Sequence, residues 1–344
     1  MTVSAALSLR ERFDAALAAF LDRQGPAWPG GVLRDFVLSG GKRLRPAFCY
    51  WGWRGAGGDD RAELVTAAAS LELFHAFALI HDDIIDGSDR RRGGPSMHRA
   101  FADQHAGNAW QGDPAAFGRH AALLCGDLCA AWAEQLFHES GLPAERIHRA
   151  YPMLARMRTE VIIGQYLDLA STADGGSVAR ALTVIRMKAA RYTVTRPLQI
   201  GARLAGAGPA LIDAYAEFGD PLGDAFQLRD DVLGVFGDPA VTGKPVLDDL
   251  REGKPTVMMA LTREAADPAQ TARIDALAGD PGLDEDGAAE LRGIIVRTGA
   301  LDQVEQLIRD RRDAAAAALA RAPVPTPVRA ELTAMIGAAT DRIS

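Results

Sequence analysis

Leu64, Ala67, Ala68, Leu71, Phe74 and Ala78 recur at steps of three and four residues. That spacing stacks side chains on one face of an α-helix. Ile147, Met153, Leu154, Met157, Val161 and Gln165 repeat the pattern with one polar exception. No stretch alternates apolar and polar residues between hairpin turns, so nothing in the pattern points to a sheet. Breakers separate the periodic runs at Gly25–Gly31, Gly55–Asp60, Thr172–Ser177, Gly237–Pro255, Asp267–Asp286 and Ala322–Pro327. Each reads as a loop between long helices, not as a linker between domains. The pattern predicts an all-α chain, a single domain over residues 1–344, with roughly ten or more helices.

With 344 residues, 48% of them apolar and 24% charged, such a chain closes a core without disulfide staples. Cys49, Cys125 and Cys129 are odd in number, and the last two are spaced as neighbours on a helix. Reduced, packed thiols and a cytoplasmic location are expected. The N-terminus mixes charges of both signs and lacks the basic-then-apolar order of a signal peptide. No run of about 18 uncharged apolar residues is found, so no transmembrane segment is expected. A formal charge of −7 argues against a general nucleic-acid binder.

Asp82, Asp83 and Asp86 interrupt an otherwise apolar helical run, ALIHDDIIDGSD (78–89). Positions four apart differ by roughly 40° around a helix, so Asp82 and Asp86 point the same way and Asp83 lies to the side. Such a pair repels unless a cation sits against it, and Mg²⁺ favours a few carboxylates completed by water and phosphate oxygens. Taken alone, the cluster is equally an N-cap and first-turn group on a solvated face. Two basic stretches flank it. Asp89-Arg90-Arg91-Arg92-Gly93-Gly94-Pro95 follows, and Ser39-Gly40-Gly41-Lys42-Arg43-Leu44-Arg45-Pro46 precedes. Guanidinium forks match phosphate oxygens, and glycines before a helix start leave backbone N–H groups open to an anion. Each stretch alone is also readable as a plain basic loop.

A second acid pair, Asp230-Asp231, stands in the helical frame Phe226–Gly234, and a Gly/Pro-rich loop with Lys244 and Lys254 follows. Two acid clusters accompanied by cations imply two helices serving one metal–diphosphate site. Here the chain resembles the isoprenyl diphosphate synthases, the trans-polyprenyl synthetase family. The landmarks occur in family order: GGKRLRP (40–46), DDIID (82–86) with RRG (91–93), FGRHAALLCGD (117–127), GQYLDL (164–169), the Lys188 region with PLQIGA (197–202), GDAFQLRDD (223–231) and GKPVLDDLREGKPT (243–256).

The resemblance implies the isoprenoid synthase fold, a bundle of long helices around a deep central cavity, and a homodimer. It also implies a reaction between isopentenyl diphosphate and an allylic diphosphate, with three Mg²⁺ per active site. In this reading Asp82 and Asp86 bind Mg²⁺ with Asp83 in support, and Asp230 holds a further ion with Asp231 behind it. Arg91, Lys188 and Lys244 contact the allylic diphosphate. Lys42, Arg45, His75 and Arg92 form the isopentenyl diphosphate site. Gln227 faces the carbocation, Lys254 is a lid residue or a loop cation, and Gly237–Lys254 is the candidate lid.

The chain-length floor is expected upstream of Asp82, at Phe77 with Ala78 beside it and Phe74 a turn deeper. Phe77 and an uninserted first motif resemble enzymes that stop at geranylgeranyl diphosphate; farnesyl or longer products are the alternatives. Two positions depart from the family pattern. Gly234 stands where a third Asp is usual, which removes one ligand or hydrogen-bonding partner. Ala189 stands where many relatives place Thr after the lysine. A terpene cyclase can dispense with Lys42, Arg45, His75 and Arg92, and a non-catalytic partner subunit tends to lose first-motif Asp residues. This chain keeps them all.

Overall fold

Of the predicted stripe, Leu64, Ala67, Ala68, Leu71 and Phe74 are buried and Ala78 is half-buried in a 25-residue helix, α4 (Ala62–Asp86), which is buried all round from Ala67 to Phe74. The computed structural model describes residues 7–25, 30–237 and 247–340, and these are helical almost throughout. α1 (Leu9–Arg23), α2 (Gly30–Leu38) and α3 (Leu44–Gly55) precede α4, and α5 (Met97–Gly107), α6 (Pro114–His138) and α7 (Ala144–Asp174) follow it. Next come α8 (Val178–Val184), a π-helix (Ile185–Thr195), α9 (Arg196–Ala205) and α10 (Pro209–Phe236). The chain ends in α11 (Asp248–Arg251), α12 (Val257–Ala265), α13 (Pro268–Leu277), α14 (Glu285–Arg297), α15 (Ala300–Arg321) and α16 (Thr326–Thr340).

Two compact units emerge: Met1–Tyr151 with Ile200–Gly206, and Pro152–Gln199 with Ala207–Ser344. In the first, α4 packs on α6, α3 and α1. α6 presents small buried residues, Ala121, Ala122, Cys125, Gly126 and Cys129, which let a neighbouring helix approach closely. All three cysteines are free and buried, as their spacing implied. Glu72 lies in this core and is held by Arg43, whose Nη1 donates to it at 2.9 Å while Nε donates to Asp14 at 2.7 Å. Removing either member of a buried pair strands a charge, at a cost of about 3–5 kcal/mol. Among the described residues α4 alone is long and apolar enough to cross a membrane, yet 67% of that stretch is buried inside the protein. That burial marks it as a core helix.

In the second unit α10 packs on α15 and on the π-helix. Leu228, Val232, Met258, Leu291, Ile294 and Val304 build its core. Glycines govern the contacts of the π-helix. A Cβ at Gly223 would lie 2.6 Å from Ala190 Cβ and 2.8 Å from Ala190 O, and one at Gly219 would lie 2.7 Å from Thr195 Oγ1. π-helical turns are rare and concentrate at functional sites. Nothing in the sequence of this stretch distinguishes it from an ordinary helix.

Three expected loops contain structure. Asp267–Asp286 holds α13, started by Asp267 in a capping box with Gln270 and by Pro268 in the first turn, a legible helix-start signal. Gly237–Pro255 contains the short α11, and α2 begins inside the first breaker at Gly30. The basic run after α4 is a small hairpin: β1 (Arg90–Arg91) pairs antiparallel with β2 (Gly94–Pro95).

Candidate active site

Asp82, Asp83 and Asp86 stand in the last turns of α4, which closes at Gly87 in the left-handed conformation (φ 67°). The reading of this cluster as a solvated N-cap and first-turn group is therefore wrong. At a helix C-terminus the macrodipole opposes each carboxylate, by about 0.3–1 kcal/mol. The position is tenable only with positive charge beside it, and the hairpin supplies that charge. Its central residues Arg92 (φ 52°) and Gly93 (φ 80°) are both left-handed, as a tight two-residue turn between twisted strands requires.

Arg91, on β1, donates both Nε (2.8 Å) and Nη2 to Asp83 Oδ1. Asp83 is wholly buried, and its Oδ2 accepts no hydrogen bond. Burial pushes the Asp83 carboxyl up to about 6, against the donation from Arg91 and with Asp82 and Asp86 adding to the rise. Asp82 and Asp86 are partly exposed. The split expected from the four-residue spacing is thus observed.

His75, two turns earlier on α4, has its pKa held well below the usual imidazole value by burial, with Arg45, Arg92, Arg91 and Arg43 pushing the same way. A neutral imidazole therefore sits among guanidinium groups. Gly41 (φ 105°) brings the loop before α3 against Arg92, whose Nη2 would lie 3.2 Å from a Cβ there. Arg92 Nη1 donates to Phe36 O at 3.3 Å, and its guanidinium lies 5.9 Å from the Phe36 ring centroid. Burial lowers the Arg92 pKa. Lys42 is exposed on the same loop, and Arg45 lies in the first turn of α3. Further along α4, Phe74 and Phe77 lie 5.1 Å apart and Phe77 and His81 4.6 Å apart by ring centroids, with Ala78 half-buried beside them.

In the second unit Lys188 belongs to the π-helix, and its Nζ donates to Asp168 Oδ2 at 2.7 Å. A Cβ at Gly164 would lie 2.8 Å from Lys188 N and 3.1 Å from Lys188 Cα. Gly164 and Asp168 are one turn apart on the same face of α7. The glycine admits the backbone at Lys188 and the carboxylate catches its ammonium. Ala189, next in line, is buried.

On α10 Gln227 Nε2 donates to Asp231 Oδ1 at 2.8 Å. Burial raises the Asp231 carboxyl to about 7, the Gln227 bond and Lys254 oppose the rise, and Asp249 and Asp230 add to it. Asp230 is partly exposed. At Gly234 a Cβ would overlap Asp249 Oδ2 and lie 3.0 Å from Asp249 Cγ. The place beside Gly234 is therefore not vacant: a carboxylate from α11 fills it. Lys254 Nζ lies 2.6 Å from Glu252 Oε2. Lys244 and half of the candidate lid, residues 238–246, lie outside the described residues.

Asp168, Asp249 and His81 carry no assigned role on sequence alone, although all three fall in or beside the motifs quoted above. The signals were available: a carboxylate one turn after the glycine of GQYLDL, and the second Asp of LDDLREGKP. Among the described residues no three His, Cys, Asp or Glu side chains converge to cage a metal by themselves. Paired carboxylates with open coordination suit Mg²⁺, which takes its remaining oxygens from water and phosphate.

A family model described as polyprenyl synthetase matches residues 27–294. The chain is 36% identical over 299 residues to the geranylfarnesyl diphosphate synthase of Aeropyrum pernix, covering 85% of this chain and 87% of that one. It is 35% identical over 230 residues to the geranylgeranyl diphosphate synthase of Sulfolobus acidocaldarius, covering 66% of this chain and 64% of that one. A crystal structure of geranylgeranyl pyrophosphate synthase from Corynebacterium glutamicum, complexed with isoprenyl diphosphate and magnesium, superposes with a TM-score of 0.93 at 43% identity, covering 97% of this chain and 98% of that one.

Proposed function

The chain belongs to the polyprenyl synthetase family and is a prenyltransferase of the isoprenyl diphosphate synthase type, and we propose that it condenses isopentenyl diphosphate with allylic diphosphates to give geranylgeranyl diphosphate. The observation that supports this most is the first acid cluster: three aspartates at a helix end that disfavours them, with arginines delivered by a left-handed turn. A solvated surface has no use for that arrangement. In this reading residues 1–344 act as one synthase domain.

Asp82 and Asp86, with Asp83 behind them, would hold Mg²⁺, and Asp230 with Asp231 behind it would hold a further ion, with three ions serving each active site. When bound, Mg²⁺ neutralises charge that develops on the departing diphosphate. The chemistry begins as the allylic C–O bond breaks with its electron pair leaving on oxygen. Arg91, Lys188 and Lys244 donate to the oxygens that gain that charge, in a setting where fixed donors act more strongly than in water. Asp168 holds Lys188 on station, and Asp83 does the same for Arg91. Lys42, Arg45, Arg92 and a neutral His75 bind the diphosphate of isopentenyl diphosphate. Its double bond attacks the cation, Gln227 lies toward the cation, and a proton is then lost.

Phe77, with Ala78 and Phe74, sets where elongation stops. The proposed homodimer is supported by exposed apolar residues: Leu123 and Leu124 on α6, and Ile162, Ile163, Tyr166 and Leu169 along one stripe of α7. Faces of that kind mark interaction sites.

The test is incubation with Mg²⁺, labelled isopentenyl diphosphate and each of the five-, ten- and fifteen-carbon allylic diphosphates, with chromatography of the products. Elongation to the twenty-carbon diphosphate is expected. Hydrocarbon release from an allylic diphosphate alone, with no elongation, overturns the reading.

A further inference from the structure

Phe77 does not stand alone on α4. Its ring lies 4.6 Å from the His81 imidazole at 57° between planes, and 5.1 Å from Phe74 at 38°. Positions 74, 77 and 81 are neighbours on the helix surface, so the three rings form a short row of tilted contacts with Phe77 in the middle. Phe77 is only partly buried, and a partly exposed phenylalanine has rotamer freedom unless its neighbours remove it.

His81 is held from the opposite side. Its Nε2 lies 3.2 Å from Leu123 O and 3.5 Å from Asp127 Oδ1, both on α6. Both of those oxygens accept, so Nε2 carries the proton, which fixes the ring's tautomer and plane. The ring also occupies a notch. A Cβ at Gly126 would overlap His81 Cδ2 and Nε2 and lie 3.5 Å from Cγ. Only glycine at 126 lets the imidazole seat against α6. The run Cys125-Gly126-Asp127 therefore has a specific task at its last two positions: Gly126 makes the seat and Asp127 flanks the ring nitrogen.

We propose that His81 is a specificity-determining positioning residue: clamped to α6 by Gly126, Leu123 and Asp127, it backs Phe77 and thereby sets the length of the prenyl chain. The proposal rests on the reading of Phe77 as the chain-length floor. His81 itself need not touch the substrate. It denies Phe77 the space into which its ring would otherwise swing when a longer chain presses on it.

The experiment is product analysis of His81→Ala, Phe77→Ala and the double variant, with Mg²⁺, isopentenyl diphosphate and a fifteen-carbon primer. Circular dichroism confirms that each folds. His81→Ala is expected to raise the ratio of the next longer product by about tenfold or more, the lower end of what a hydrophobic pocket discriminates per missing group. The double variant is expected to lengthen no further than Phe77→Ala alone, because the two changes act through one ring. If His81→Ala does not fold, Gly126→Ala replaces it: the added methyl expels the imidazole from its seat, and a changed product distribution is expected.

A purely structural histidine alters stability and leaves product length where it was. If Phe77→Ala lengthens the product and the His81 or Gly126 variant does not, the inference fails and the Phe77 floor survives. If Phe77→Ala leaves product length unchanged, the floor is elsewhere and the inference falls with it. Additive lengthening in the double variant also overturns it, since His81 would then act independently.

Discussion

Gly164→Ala separates the two jobs of the α7 contact with the π-helix. The methyl group would meet Lys188 N at 2.8 Å and Lys188 Cα and Cβ at 3.1 Å. Carbon contacts settle at about 3.5–4.0 Å, so the backbone at Lys188 must retreat by roughly 0.5–1 Å. Two effects on stability then oppose each other. Alanine gains about 1 kcal/mol over glycine in a helix interior. Overpacking against backbone costs about 1–3 kcal/mol. Net destabilisation of about 1 kcal/mol is expected, a fall in Tm of only a few degrees for a chain of this size.

On the role proposed for Lys188 the effect on catalysis is larger, because Asp168 sits one turn from Gly164 and holds the Lys188 ammonium at 2.7 Å. Misplacing a catalytic group by about 1 Å costs on the order of 10²-fold. The expected outcome is a kcat reduced by about 10- to 100-fold in a protein that still melts cooperatively. Single-turnover assays with labelled isopentenyl diphosphate, run beside a thermal melt, check it. Wild-type turnover together with a raised Tm would refute the reasoning, because the propensity gain would then have appeared without any displacement of Lys188.

Three further outcomes are expected. Gly234→Asp, which restores the acid usual at that position, should lower kcat/KM by about tenfold, since the new carboxylate collides with that of Asp249 and adds charge beside Asp230 and Asp231; a gain in activity would show that the vacancy at 234 is real. Burial lowers the pKa of both His75 and His98, so below about pH 6.5 these two sites bind more protons in the unfolded chain than in the native one, and their contribution to stability is fully present above that pH and lost as pH falls toward their native values. The raised carboxyls of Asp83 and Asp231 act in the opposite sense, so the check is a difference: as pH falls below about 6.5 the urea midpoint of the wild type should fall relative to that of His75→Gln, and identical slopes in the two proteins would contradict this. Burial pushes the thiols of Cys49 and Cys125 up to about 12 and that of Cys129 higher still, so Ellman's reagent should label none of the three cysteines in native protein, and rapid labelling before unfolding would count against the described packing.

Much of this protein is legible in one dimension, because helices are local. The three- and four-residue steps around Leu71 report a buried helix face, since the α-helical repeat converts spacing directly into direction. The same rule separates Asp82 and Asp86 from Asp83, and the motif order identifies the family. What the sequence alone could not decide depends on partners distant along the chain. Whether Asp82 begins or ends a helix was ambiguous, because acids favour first turns and the true end is marked only by Gly87. The π-helix at Lys188 meets glycines on α7 and α10 at close range, contacts that depend on residues far along the chain. Gly234 reads in one dimension as a lost ligand, whereas Asp249, fifteen residues on, fills the space beside it. His81 looked like an ordinary neighbour of the acid motif, yet α6 holds it in a glycine notch against Phe77. Spacing determines which way a side chain points on its own helix; only packing determines what it meets there.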